Sequence, residues 1–71
     1  MTKKVFLKKL GEKIIAVRTQ KKMSQAELAF TCNKDPQSLE RVENGKINPS
    51  SFYLQEIAEG LNVPVKLLLD F

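Results

Sequence analysis

Gln37, Ser38 and Arg41 stand in the stretch Pro36-Gln37-Ser38-Leu39-Glu40-Arg41-Val42-Glu43. Spacings of three and four residues place all three on one face of a helix, while Leu39 and Val42, three apart, share another. An arginine fork fits two acceptors of guanine, a glutamine carboxamide fits adenine, and a serine hydroxyl serves either. Lys46, just beyond, adds a cation suited to phosphate. The chemistry on offer is hydrogen-bonded recognition of an anionic partner. Catalysis lacks its parts. The 71-residue chain has no histidine and one cysteine. A Ser-His or Cys-His nucleophile pair therefore cannot be built. Neither a disulfide nor a structural zinc site has enough ligands. No acid–base pair, metal cluster or phosphate loop is found either, so no enzyme, metal, cofactor or small-molecule substrate is expected.

These side chains need a rigid helix to present them. Asp35 is a good N-cap, Pro36 suits the first helical position, and Asn44-Gly45 is a stop, which predicts a helix from about Pro36 to Glu43. Before it, Ser24-Gln25-Ala26-Glu27 is a capping box, and Met23 and Leu28 are spaced as a hydrophobic staple. That helix ends near Thr31, and Asn33 tolerates the left-handed backbone of a helix end. Two short helices with about three residues between them make a helix-turn-helix. Around it, Phe6, Leu10, Ile14 and Val17 form the apolar stripe of a first helix from about Val5 to Gln20. Ser50 caps a fourth helix with a buried stripe of Leu54, Ile57, Ala58 and Leu61. Asn62-Val63-Pro64 breaks it, and Val65 to Leu69 forms a fifth. No alternating run signals a strand. The expectation is one all-α, five-helix domain over residues 1–71, with residues 1–4 a disordered basic N-terminus.

The net charge of +4 is unevenly spread. Residues 1–22 hold eight basic groups against Glu12 alone, a net +7, whereas residues 23–71 hold four basic and seven acidic groups, a net −3. Such asymmetry suggests an anionic partner at one end of the molecule. The lysines of residues 3–9 read equally as a solvated N-terminus. No stretch approaches the twenty apolar residues of a membrane helix, and the start does not read as a signal peptide, so a cytoplasmic protein is expected.

The runs Met23-Ser24-Gln25-Ala26-Glu27-Leu28-Ala29, Leu39-Glu40-Arg41-Val42-Glu43-Asn44-Gly45-Lys46, Asn48-Pro49-Ser50 and Leu54 to Val63 resemble the phage-repressor and Cro type of helix-turn-helix, the Xre family. The likeness covers about Leu10 to Leu69. Small restriction–modification controller proteins are similar in size and layout. The resemblance implies a lambda-repressor-like fold with its reader at helices two and three. It implies base-facing positions at Pro36, Gln37, Ser38 and Arg41, and phosphate contacts at Gln25, Asn44, Lys46 and Asn48. Arg18 and Glu43 match an interior ion pair, a structural role. The chain departs from the family at Pro36, which cannot donate a hydrogen bond and so reads shape or a thymine methyl. It departs again at Lys34, where an apolar residue is usual, and at Asn33, where glycine is common. Asp35 and Glu40 bring negative charge near DNA, Asp35 as a cap and Glu40 on the flank.

Cys32 matches a small apolar core position, so a buried thiol is expected there. Helices four and five carry the dimer contact in related proteins, which points to Val65, Leu69, Phe71 and Phe52, or Tyr53, as a homodimer interface. The alternative is that Phe71 folds back onto its own core. The expected function is a sequence-specific DNA-binding transcriptional regulator, a repressor, binding double-stranded DNA at a palindromic operator. The rival is an antitoxin or adaptor module whose main partner is another protein.

Overall fold

A computed structural model describes residues Met1–Phe71. Five α-helices follow one another: α1 (Lys3–Gln20), α2 (Gln25–Thr31), α3 (Pro36–Glu43), α4 (Ser51–Leu61) and α5 (Val65–Leu68). α1 packs on α3 and α5, α2 on α3 and α4, and α4 on α5. They close around one core that includes Leu10, Ile14, Leu28, Leu39, Ile57, Leu61 and Leu68. No helix is long and apolar enough to cross a membrane.

Local chemistry sets the boundaries. The Asp35 carboxylate accepts the Gln37 N–H at 3.0 Å, and Pro36 opens α3. Ser50 Oγ accepts the Tyr53 N–H at 3.0 Å and caps α4. Asn33 and Asn62 take the left-handed backbone, with φ of 58° and 57°, and Gly45 follows α3 with φ of 71°. These side chains tolerate a conformation that most residues avoid. Lys22 adopts it too, with φ of 59°, between α1 and α2.

The expected disordered N-terminus is corrected. Thr2 Oγ accepts the Val5 N–H at 3.2 Å, and this cap starts α1 at Lys3. The apolar stripe of α1 keeps Leu10, Ile14 and Val17 but begins at Leu7 instead of Phe6. Leu7, Leu10, Gly11, Ile14 and Val17 are buried, whereas Phe6 lies at the surface. In α5 it is Leu68 that is fully buried, and Leu69 is exposed.

The capping box of α2 is complete: Ser24 Oγ accepts the Glu27 N–H at 3.0 Å, and the Ser24 N–H donates to Glu27 Oε1 at 2.8 Å. The hydrogen bond from the Ser24 amide, assisted by the Ser24 side chain, holds the Glu27 carboxyl below the ordinary glutamate range. A folded-state pKa below the unfolded one stabilises the fold above the unfolded value, and that stabilisation is lost as pH falls through the lowered value. Glu27→Gln keeps a neutral cap. Wild type is therefore expected to lose its advantage over Glu27→Gln as pH drops from neutral through the carboxylate range. Thermal midpoints of both proteins across that range check this, and a difference unchanged by pH would contradict it.

Candidate nucleic-acid interface

α2 and α3 with the turn between them form the helix-turn-helix. α3 buries Leu39 and Val42 against the core and leaves Pro36, Gln37, Glu40 and Arg41 exposed. The 3.6-residue period thus separates a packing side from an exposed polar side. Gln37 lies in the first turn and Arg41 one turn later. Asn44, Lys46 and Asn48 are exposed in the loop that follows. That loop touches α1: a Cβ on Gly45 would lie 3.0 Å from the Lys8 Cα. The basic N-terminal part of α1 is thereby brought beside Lys46.

The back of α3 is held by charge. Arg18 Nε donates to Glu43 Oε2 at 2.8 Å and Arg18 Nη2 to Glu43 Oε1 at 3.2 Å. Arg18 Nη1 donates to the Met23 carbonyl at 3.0 Å. Gln25 Nε2 donates to Glu43 Oε1 at 2.8 Å. One buried carboxylate therefore joins α1, the entry to α2 and the end of α3. Gln25 stands at the start of α2, where the resemblance placed a phosphate contact, and its amide nitrogen is bound inward in this network.

Ser38 departs from the expected trio. Helical spacing groups it with Arg41, but it is half-buried and its Oγ lies 2.8 Å from the Tyr53 hydroxyl of α4. The spacing rule fixes a face of α3 and says nothing of what α4 sets against that face's edge. Lys34, in the turn before α3, lies with its ammonium 4.7 Å from the centre of the Tyr53 ring and pairs with Glu56. That Glu56 partner raises the Lys34 pKa above the ordinary lysine range. Lys34, which the resemblance marked as a departure, thus has a fitted site on α4.

The apolar surface is divided. Phe52 is 70% exposed at the start of α4, Leu69 is exposed and Val65 half-buried. Phe71 turns back onto its own chain, where its ring meets Phe6 edge-on with centroids 5.3 Å apart, and it stays 41% exposed. Tyr53 belongs to the α3–α4 contact, where it packs against the core. Cys32 is buried in that core, and desolvation pushes its thiol pKa up. Two positions escape composition and spacing. Phe30 on α2 is 89% exposed, and Gly11 lies against the α3 backbone. A glycine inside an otherwise regular apolar stripe was the available signal for the second.

Residues 14–68 match the family described as Helix-turn-helix. The control protein C.BamHI from Bacillus amyloliquefaciens is 37% identical over 62 residues, which span 86% of this chain and 76% of that protein. The crystal structure of the restriction-modification controller protein C.AhdI from Aeromonas hydrophila is similar with a TM-score of 0.86 at 32% identity, covering 87% of this chain and 94% of that one. The clp gene regulator ClgR from C. glutamicum gives a TM-score of 0.85 at 26% identity, covering 90% of this chain and 83% of that one.

Proposed function

Because the chain belongs to the helix-turn-helix family that its residues 14–68 match, we propose that it is a sequence-specific DNA-binding transcription regulator of the controller type. It acts in the cytoplasm as a homodimer on a palindromic operator, and represses by occupying the site that polymerase needs. The observation that carries this reading is the split face of α3, with Leu39 and Val42 inward and Gln37 and Arg41 free. Arg41 suits guanine and Gln37 suits adenine in the major groove. Pro36 contributes shape. Asn44, Lys46 and Asn48 then lie at the groove's edge as phosphate contacts, and Gln25, which gives one N–H of its carboxamide to Glu43, has the other to donate to the backbone.

Size supports the second copy. The Cα extents are 30 × 22 × 20 Å, with a single recognition helix. Successive major grooves lie about 34 Å apart, so reading both requires two chains. Val65, Leu69 and Phe52, with the partly exposed Phe71 and its partner Phe6, are the residues proposed for that contact.

Selection of bound sites from random duplex DNA tests the reading, and a two-fold symmetric site with half-sites one turn apart is expected. On that site Arg41→Ala is expected to weaken binding by about 1–3 kcal/mol and relax preference at one base pair. Lys46→Ala is expected to weaken specific and random duplex alike and to reduce the salt slope by about one. Failure to enrich any sequence would remove the proposed function, and enrichment untouched by Arg41→Ala would remove this assignment of its reader.

A further inference from the structure

We propose that Tyr53 is a positioning residue for DNA reading: it holds the Ser38 hydroxyl and the Lys34 side chain, and so sets the aim of the recognition helix. The inference rests on the reading of α3 as the helix that enters the groove. It removes Ser38 from the base readers and gives it a different task.

α3 has polar anchors at two points along its length. Glu43 fixes its C-terminal end through Arg18 and Gln25. At the other end, the Asp35 cap and Pro36 are local to the chain and reach no other helix. The Ser38–Tyr53 hydrogen bond spans fifteen residues of sequence and does reach one. Tyr53 also lies under Lys34, which pairs with Glu56, one turn further along α4. One side chain of α4 thus engages both the turn before α3 and the first turn of α3. The Tyr53 ring in turn packs against the core, so its hydroxyl is a fixed point.

The lever is short but sufficient. Ser38 and Glu43 are five residues apart, roughly 7.5 Å along the axis at 1.5 Å per residue. A tilt of about 10° around the Glu43 end moves the Gln37–Ser38 end by roughly 1.3 Å. A base-edge hydrogen bond tolerates only about 0.5 Å of donor–acceptor distance before it is lost. Phosphate contacts made by flexible lysines absorb such a shift, because charge attraction is not directional in this way. A loosened α3 should therefore lose sequence discrimination while keeping non-specific attraction.

The test uses Tyr53→Phe, Ser38→Ala and the double variant. Tyr53→Phe keeps the ring beneath Lys34 and deletes only the hydroxyl. Each protein is measured well below its thermal midpoint, on the duplex selected by wild type and on random duplex. Each single change is expected to reduce affinity for the selected duplex by about fivefold, with random-duplex affinity and salt slope unchanged. The double variant is expected to match the weaker single variant, because residues that act through one hydrogen bond are not additive. Ser38→Thr, which keeps a hydroxyl, is expected to bind as wild type does. Additive losses would mean that Ser38 contacts DNA on its own, and a Tyr53→Phe protein that discriminates as well as wild type would equally overturn the proposal. If wild type selects no duplex at all, the function itself falls and this assignment with it. A selected duplex with independent Ser38 and Tyr53 effects removes the positioning role alone.

Discussion

Replacing Arg18 with methionine is expected to lower the free energy of unfolding by about 3–5 kcal/mol, because it leaves the Glu43 carboxylate inside the fold without its cation. The Glu43 side chain is 1% exposed. Two of its three hydrogen-bond donors, Arg18 Nε and Nη2, belong to that one residue. Gln25 Nε2 alone would stay, a neutral group facing a buried charge. The Met23 carbonyl loses its donor in the same step. A chain of this length has a total stability of about 4–10 kcal/mol, so the variant is left at the margin of folding. The contrast lies in the double replacement. Arg18→Met with Glu43→Leu removes both charges, and exchanging a buried pair for apolar groups is often neutral or stabilising. Urea denaturation of wild type, Arg18→Met and the double variant measures this directly. An Arg18→Met protein within about 1 kcal/mol of wild type would show that Glu43 does not need its partner. A double variant no better than the single one would show that the loss lies in what both variants share, the packing of the arginine stem and the orphaned Met23 carbonyl.

Much of the architecture was legible because it is written locally. The Ser24 box, the Asp35-Pro36 start and the Asn44-Gly45 stop each place a boundary from a few adjacent residues, and α3 runs from Pro36 to Glu43 as they require. Facts that depend on a meeting of distant elements were not legible. Periodicity fitted Phe6 to the stripe of α1 as well as it fitted Leu7. What decides between them is that Phe71 offers Phe6 a partner at the surface. Ser38 had the spacing of a reader, but its hydroxyl faces a tyrosine fifteen residues away. Lys34 looked like a departure in the turn until Tyr53 and Glu56 gave it a site. Thr2 does not stand out as a cap in the sequence, because the lysine run after it has the composition of a solvated tail.

Gly11 belongs to the same class and yields the second large effect. It lies in the middle of α1, where glycine costs about 1 kcal/mol of helix propensity relative to alanine. Propensity alone therefore says that Gly11→Ala should stabilise the protein. The packing says the reverse. A Cβ at this position would lie 2.2 Å from the Glu43 carbonyl oxygen, 2.7 Å from its carbonyl carbon and 2.8 Å from the Val42 carbonyl oxygen. All three are backbone atoms of α3, so no rotamer change can make room, and one helix must move away from the other. Overpacking of this kind costs typically about 1–3 kcal/mol and sometimes more. A contact against backbone falls at or above the upper end, so Gly11→Ala is expected to be less stable by about 2–3 kcal/mol after its propensity gain. Gly11→Val adds two more methyl groups without that gain, and little folded protein is expected. The displaced end of α3 is the end that carries Glu43, so the shift also strains the Arg18 pair. Thermal unfolding followed by circular dichroism, with a loss of about 4–8 °C per kcal/mol for a domain of this size, separates the two accounts. A Gly11→Ala protein that melts at or above the wild-type temperature would mean that α1 and α3 do not approach this closely. The close seating of α3 on α1, on which the proposed aim of Gln37 and Arg41 depends, would then have to be abandoned.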